Sequence, residues 1–169
     1  GAANWGPPRW GIRFAGDAAR SPALPLRAAA VPPVLQVPLQ QHVGHRTAPL
    51  VDVGDRVLKG QPIGAVRDQT LGARVHAPSS GRVRGLETMT VPGRAATPCV
   101  VIETDGADTV YPGYGSHDNP LRLATSVLRQ AVIEAGIAGL GGAAFPAGVK
   151  LNKGSGVETL ILNGAECEP

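Results

Sequence analysis

The sequence predicts an α+β chain in two parts of different grammar: a small all-β barrel or sandwich, then the opening of an α/β domain. Three observations carry this. With 169 residues, 23 glycines, 16 prolines, 17% charged and only 4% aromatic residues, the chain has room for one ordinary domain or two small ones rich in turns. From Val34 to about residue 105, short apolar runs alternate with Gly and Pro corners. From about residue 118 the apolar spacing changes to three-and-four, the period of a helix.

The elements follow in order. Residues 1–33 hold six prolines and few apolar runs, which predicts an extended arm. VLQVPL (34–39), PLVDVGD (49–55), RVLKGQPIGAV (56–66), RVHAP (74–78), GRVRGLETMTV (81–91) and PCVVIETD (98–105) then predict short strands of a β domain over 34–115. Asp118-Asn119-Pro120 offers a cap followed by Pro at a first helical position. Leu121, Ala124, Val127, Leu128, Ala131, Val132 and Ala135 then describe one apolar helix face, with Thr125 or Ser126 as alternative caps of a shorter helix and Gly136 as its stop. Phe145-Pro146 predicts a short helix through about Leu151, and VETLILN (157–163) a buried parallel strand. Residues 116–169 thus read as the start of an α/β domain too short to be complete, so the molecule is expected to continue.

Composition excludes several classes. No apolar run approaches the roughly 18 residues of a membrane span, and the first residues show no basic-then-apolar leader, so neither an integral membrane protein nor a retained secretory signal is expected. Cys99 and Cys167 are too few for a disulfide scaffold, which suits a reducing compartment. Residues 1–50 carry five arginines against one aspartate, placing the positive surplus in an arm with Trp5, Arg9, Trp10, Arg13, Arg20 and Arg27. A solvated tail is favoured there over lipid contact, and no motif supports nucleic acid.

Two motifs carry chemistry. VDVGDRVLKGQPIG (51–64) and VHAPSSGRV (75–83) each turn on glycine, at Gly54, Gly60 and Gly81, and Asp55 is placed to cap its own turn. This pair resembles the barrel-sandwich hybrid of biotinyl and lipoyl domains. A carrier lysine belongs on the hairpin between the halves, yet AVRDQTLGAR (65–74) has none and Lys59 lies inside a corner. A swinging arm is therefore rejected in favour of a docking scaffold.

In GLGGAAFPAGVKLN (139–152), Gly139, Gly141 and Gly142 free backbone N–H groups for one anion, with Lys150 one turn into the following helix and Phe145 available to stack on a planar ring. The bland alternative is a helix-to-helix turn of small residues. Gly139 to Ala144 also fits a G-x-G-x-x-A dinucleotide fingerprint, but Pro146, Gly148, Gly154 and Gly156 leave no room for its long helix. NGAECEP (163–169) follows a strand at its C-terminal end, where ligands of open α/β sheets lie, and offers Asn163, Glu166 and Glu168 as polar partners.

These motifs, with VPLQQHVG (37–44), resemble the C subunit of the Rnf electron-transport complex over roughly residues 10–169. The last part is also similar to the flavin-bearing, NADH-oxidising subunit of respiratory complex I, and more distantly to the A subunit of the sodium-pumping NADH:quinone reductase. The resemblance implies a Rossmann-like domain in which FMN exchanges hydride with NAD(H), electrons passing to two 4Fe–4S clusters downstream of residue 169. It implies a subunit held peripherally by its partners at the cytoplasmic face of the bacterial inner membrane, in a complex coupled to ion translocation. It places Gly139, Gly141, Gly142 and Lys150 around the flavin phosphate, Asn163 and Glu166 near the ring and ribityl groups, and Phe145 and Glu168 near the nicotinamide nucleotide. No side chain is expected to be catalytic in its own right, since FMN carries the hydride chemistry. This sequence departs from the family pattern with Ala144 before the Phe, Leu140, Ala165 and Arg13.

Cys99 reads as a small buried hydrophobe and Cys167 as a lining residue, and neither is expected to hold a metal. His42, His45, His76 and His117 form no ligand constellation. A non-catalytic interaction module and a nucleotide-binding regulator are the alternative classes.

Overall fold

The computed structural model describes residues 25–67, 70–90, 96–113, 119–139, 144–153, 156–159 and 161. Residues 30–158 form one unit; of the other, 1–29 with 159–169, only 25–29, 159 and 161 are described. The basic, Trp-containing part of the arm lies outside the described residues, as does Asp118.

Among the described residues seven strands make the β domain: β1 (Val34–Pro38), β2 (Ala48–Pro49), β3 (Arg56–Val57), β4 (Pro62–Ala65), β5 (Val75–His76), β6 (Gly81–Met89) and β7 (Thr97–Thr104). They form two antiparallel sheets in the orders β1-β7-β6-β3 and β2-β4-β5. The core between them is aliphatic, built on Val37, Val57, Ile63, Val83, Val100 and Ile102. In β7 the run Cys99–Ile102 is buried on both faces, which is why it reads as continuous apolar sequence rather than an alternation. β6 alternates instead, with Gly81 and Val83 inward, Arg82 and Arg84 outward.

The corners work as the sequence predicts, with one difference. Gly54 and Gly60 take φ of 98° and 83°, and the Asp55 carboxylate accepts the Asp52 N–H at 2.8 Å. Gly81 is needed for space rather than for φ: a Cβ there would stand 2.1 Å from the Glu103 carbonyl oxygen across the ladder.

The Ser-Ser of the second corner closes one end of the barrel. Both side chains are fully buried; Ser79 donates to Asp108 at 2.8 Å and Ser80 to Asp105 at 2.7 Å. Ser80 Oγ in turn accepts the Thr109 N–H at 2.8 Å. Lys59 is ion-paired with Asp108, so its ammonium is committed to this seal.

The helical part differs from expectation at its start. Asn119 caps a 3-10 turn, Pro120–Arg122, by accepting the Leu121 N–H at 3.1 Å. Leu123 is then extended and interrupts the predicted continuous helix. Helix α1 runs over Thr125–Glu134 with Ala124, not Thr125 or Ser126, at the cap and no side-chain acceptor there. It ends as predicted: Gly136 has φ 64°, its N–H reaches Ile133 O at 3.1 Å and the Ile137 N–H reaches Val132 O at 3.4 Å. No residue of α1 is fully buried; Leu128 and Val132 of its apolar face are half-buried, whereas Leu121 falls outside the helix and is exposed.

Helix α2 (Ala147–Lys150) is a single turn continued by a 3-10 turn, Leu151–Lys153. The strand expected over 157–163 is not found in its described part: Val157–Thr159 and Ile161 are in no strand, with Val157 59% and Ile161 85% exposed. A parallel strand needs an edge to join, and every strand pair of the two sheets is antiparallel.

Candidate functional site

The site is a loop zipped at its base. The Gly139 N–H donates to Phe145 O at 3.0 Å and the Ala147 N–H to Ile137 O at 2.8 Å, with Ala138 and Pro146 paired antiparallel between them. Gly139 and Phe145 are thereby held side by side. The exit of the loop is anchored by Pro146, which is fully buried, and by Gly148, where a Cβ would lie 2.3 Å from Ile133 Cγ1 of α1. No side chain fits between the two helices at that point. The Val43 N–H donates to Ala144 O at 3.3 Å and ties the loop to the connection after β1.

Ala144 has φ 45°, in the left-handed region that disfavours a Cβ by roughly 1–2 kcal/mol. Ala144 is one of the positions at which the sequence departs from the family pattern, and its backbone takes a conformation that favours glycine.

Lys150 folds back over the loop. Its Nζ is 3.9 Å from where a Cβ on Gly139 would stand, and 5.7 Å from the centroid of the Phe145 ring. Among the described residues no carboxylate pairs with it. Gly139, Phe145 and Lys150 are therefore together: an unblocked backbone, an aromatic ring and an ammonium. This set has the chemistry an anionic group calls for in the Lys150 ammonium. The Gly139 N–H, expected to be free for an anion, is already donated to Phe145 O, so the glycine contributes room rather than a donor. With only one turn in α2, charge here comes mainly from Lys150 rather than from a helix dipole. Gly141, Gly142, Asn163, Glu166 and Glu168 lie outside the described residues, as do Leu140, Ala165, Cys167, His117 and Arg13.

The other candidates have structural posts. His42 is 2% exposed; its Nδ1–H donates to Val43 O at 3.1 Å and its Nε2 accepts the Ala73 N–H at 3.1 Å, so both ring nitrogens are used by backbone. Cys99 is a free thiol 1% exposed in β7; burial, the largest influence, pushes it above the ordinary thiol range and away from nucleophilic use, a backbone hydrogen bond at Glu87 opposing this and the Glu87 charge adding to it. Among the described residues no group of three His, Cys, Asp or Glu side chains gathers to hold a metal.

His76 has a role the sequence does not announce. Its Nε2–H donates to the Glu134 carbonyl oxygen at 3.0 Å, tying β5 to the last turn of α1. The partners are 58 residues apart, and no local signal pairs them.

Residues 9–107 match the family model described as the RnfC barrel sandwich hybrid domain, and residues 132–169 match that of the Nuo51 FMN-binding domain. The chain is 46% identical over 153 residues to the C subunit of the ion-translocating oxidoreductase complex of Serratia proteamaculans, covering 89% of this chain and 21% of that protein. It is 44% identical to the equivalent protein of Yersinia enterocolitica and 42% identical to that of Klebsiella pneumoniae, each over 89% of this chain and covering 22% and 20% of those proteins. The chain thus spans about a fifth of the length of these relatives.

Proposed function

Because the chain belongs to the RnfC family, whose barrel-sandwich domain it carries over residues 9–107, we propose that it serves as the N-terminal part of an electron-transfer subunit that binds FMN at the 139–150 loop. The observation that carries this reading is the approach of Lys150 Nζ to Gly139 beside the Phe145 ring. FMN is a phosphate-bearing cofactor, and Lys150 and Gly139 match that chemistry, ammonium for phosphate and bare backbone for close approach, while the Phe145 ring beside them suits the nicotinamide. When bound, FMN supplies hydride acceptance from NAD(H) and single-electron release. Lys150 neutralises the phosphate and donates hydrogen bonds to it, and Gly139 leaves the backbone beside it accessible. Gly141 and Gly142 extend the cradle, Asn163 and Glu166 hydrogen-bond the ring and ribityl groups, and Phe145 and Glu168 face the nicotinamide nucleotide.

On this reading residues 1–33 are an arm, 34–115 the barrel and 116–169 the opening of a Rossmann-like FMN- and NAD(H)-binding domain. The barrel docks the protein on its neighbours. Iron–sulfur clusters outside this chain would take up the electrons, and partner subunits would couple the transfer to ion movement at the cytoplasmic face of the membrane. Among the described residues no helix is long and apolar enough to cross a membrane, which suits attachment through partners.

The test is the absorbance spectrum of the full-length protein. A flavin band bleached by NADH supports the proposal; a correctly assembled, colourless protein overturns it.

A further inference from the structure

The connection after β1 carries a bond from barrel to loop, the Val43 N–H donating to Ala144 O at 3.3 Å. Ala144 O and the Phe145 nitrogen belong to one planar peptide, so holding the oxygen also sets the nitrogen from which Phe145 departs. The Phe145 carbonyl in turn accepts the Gly139 N–H at 3.0 Å, and its ring centroid lies 5.7 Å from Lys150 Nζ. The orientation of one barrel amide is thereby passed to the residues of the loop site.

Two side chains aim that amide. The His42 carbonyl and the Val43 N–H are the two ends of one peptide group, and Gln40 Nε2 donates to that carbonyl at 2.8 Å. The next peptide is held by the His42 ring, whose Nδ1–H donates to Val43 O at 3.1 Å. Val43 cannot turn without breaking one of these bonds. An amide whose carbonyl accepts a hydrogen bond is also the better donor, because bonds in a chain polarise one another.

The His42 ring is itself fixed. It is 2% exposed, and its Nε2 accepts the Ala73 N–H of the β4–β5 connection, 31 positions away, at 3.1 Å. The His45 N–H donates to Leu71 O of the same connection at 2.8 Å, which keeps the two segments from sliding. Burying an imidazole costs desolvation unless both nitrogens are bonded. An aliphatic side chain would fill the space without that cost, so what the ring adds is direction.

We propose that His42, with Gln40, is a positioning residue for the loop site: it fixes Val43 so that the barrel holds the 144–145 peptide and presents Phe145 to the bound cofactors. This rests on the reading of the loop as a flavin site. The barrel then acts on the geometry of the redox site as well as on docking.

Two substitutions in the full-length protein separate the two ends of the ring. His42→Asn puts an amide donor where Nδ1–H stands, keeping the hold on Val43 O and losing the bond to Ala73. His42→Gln puts an amide oxygen where Nε2 stands, keeping the bond to Ala73 and losing the hold on Val43. Both should lower Tm, and flavin should tell them apart. His42→Gln should bind FMN roughly three- to tenfold more weakly, the loss of one neutral hydrogen bond, and exchange faster at the Val43 and Gly139 amides. His42→Asn should match wild type in both, and Gln40→Leu should follow His42→Gln. The proposal is overturned if the two His42 variants shift FMN affinity and exchange equally, or if neither shifts them. Exchange is also read on protein stripped of flavin. A wild type that binds no FMN overturns the flavin reading, and the exchange contrast alone then supports or overturns the hold of His42 on the loop.

Discussion

The Nε2 atom of His76, on the barrel, lies 3.0 Å from the carbonyl oxygen of Glu134, in the last turn of α1. A carbonyl only accepts, so Nε2 carries the hydrogen and the neutral ring already makes the bond. Burial, the largest influence, lowers the His76 pKa below its ordinary 6.5; the bond to Glu134 opposes this and the Arg74 charge adds to it. The sign follows. Above 6.5 the ring is neutral in folded and unfolded chains and stability is at its full value; as pH falls below 6.5 the unfolded chain takes up the proton first, and stability is lost down to the depressed folded pKa. Thermal melts of the wild type should therefore drop between about pH 7 and 5.5, around the ordinary histidine pKa. In His76→Gln that part of the drop should vanish; an unchanged pH slope would remove His76 as its source.

The Asp105 and Asp108 carboxyls are held below the usual range, Asp105 foremost by the Ser80 hydroxyl and Asp108 foremost by Lys59. Depressed carboxyls work at the opposite end of the scale: their contribution is present above the ordinary 3.8 and disappears as pH falls below it. Ser80→Ala removes the hydroxyl that accepts from Thr109 N and donates to Asp105, and Thr109 is exposed, so its N–H turns to water. A cost of about 0.5–1.5 kcal/mol, that of an ordinary hydrogen bond, is expected in urea unfolding at neutral pH. A smaller acid sensitivity than wild type should accompany it, and a neutral result in both would show that the seal contributes nothing.

Ala144 and Gly136 make a matched pair of backbone tests. At Ala144, φ 45° sets a Cβ against its own backbone, so Ala144→Gly should stabilise by up to about 1 kcal/mol. At Gly136, φ 64° and a Cβ position 2.4 Å from Arg74 O make Gly136→Ala unfavourable twice over, by more than about 1–2 kcal/mol. Chemical denaturation of both variants checks the pair; equal and small effects would contradict the left-handed conformations.

What the sequence reveals here is what is local. Asp55 and Gly60 announce their corners because the turn and the residue making it are within three positions of each other, and Pro146 and Gly136 announce helix ends in the same way. Lys150 and Phe145 are legible as neighbours because one helical turn joins them. Partners far apart along the chain are not legible: Ser79 and Ser80 look like loop serines until Asp108 and Asp105, 29 and 25 residues away, close over them. In VETLILN the described residues, 157–159 and 161, form no strand: a strand is a property of a pair, and an apolar run alone does not show whether an edge awaits it.

Lys150 gives the decisive test of the loop. Its ammonium is exposed, carries no carboxylate partner among the described residues and lies over Gly139, so its removal costs little folding energy and its effect is read through the ligand. A charged hydrogen bond to phosphate is worth about 1.5–3 kcal/mol, that is, about tenfold or more in affinity. Lys150→Ala in the full-length protein should therefore purify with a lower flavin-to-protein absorbance ratio and reload FMN at least about tenfold more weakly. Lys150→Arg, which keeps charge and donors, should retain most of the flavin, while riboflavin, lacking the phosphate, should bind wild type and Lys150→Ala alike. Equal flavin content in wild type and Lys150→Ala would place the phosphate elsewhere, and a loss equally large for riboflavin would assign Lys150 to the ring instead.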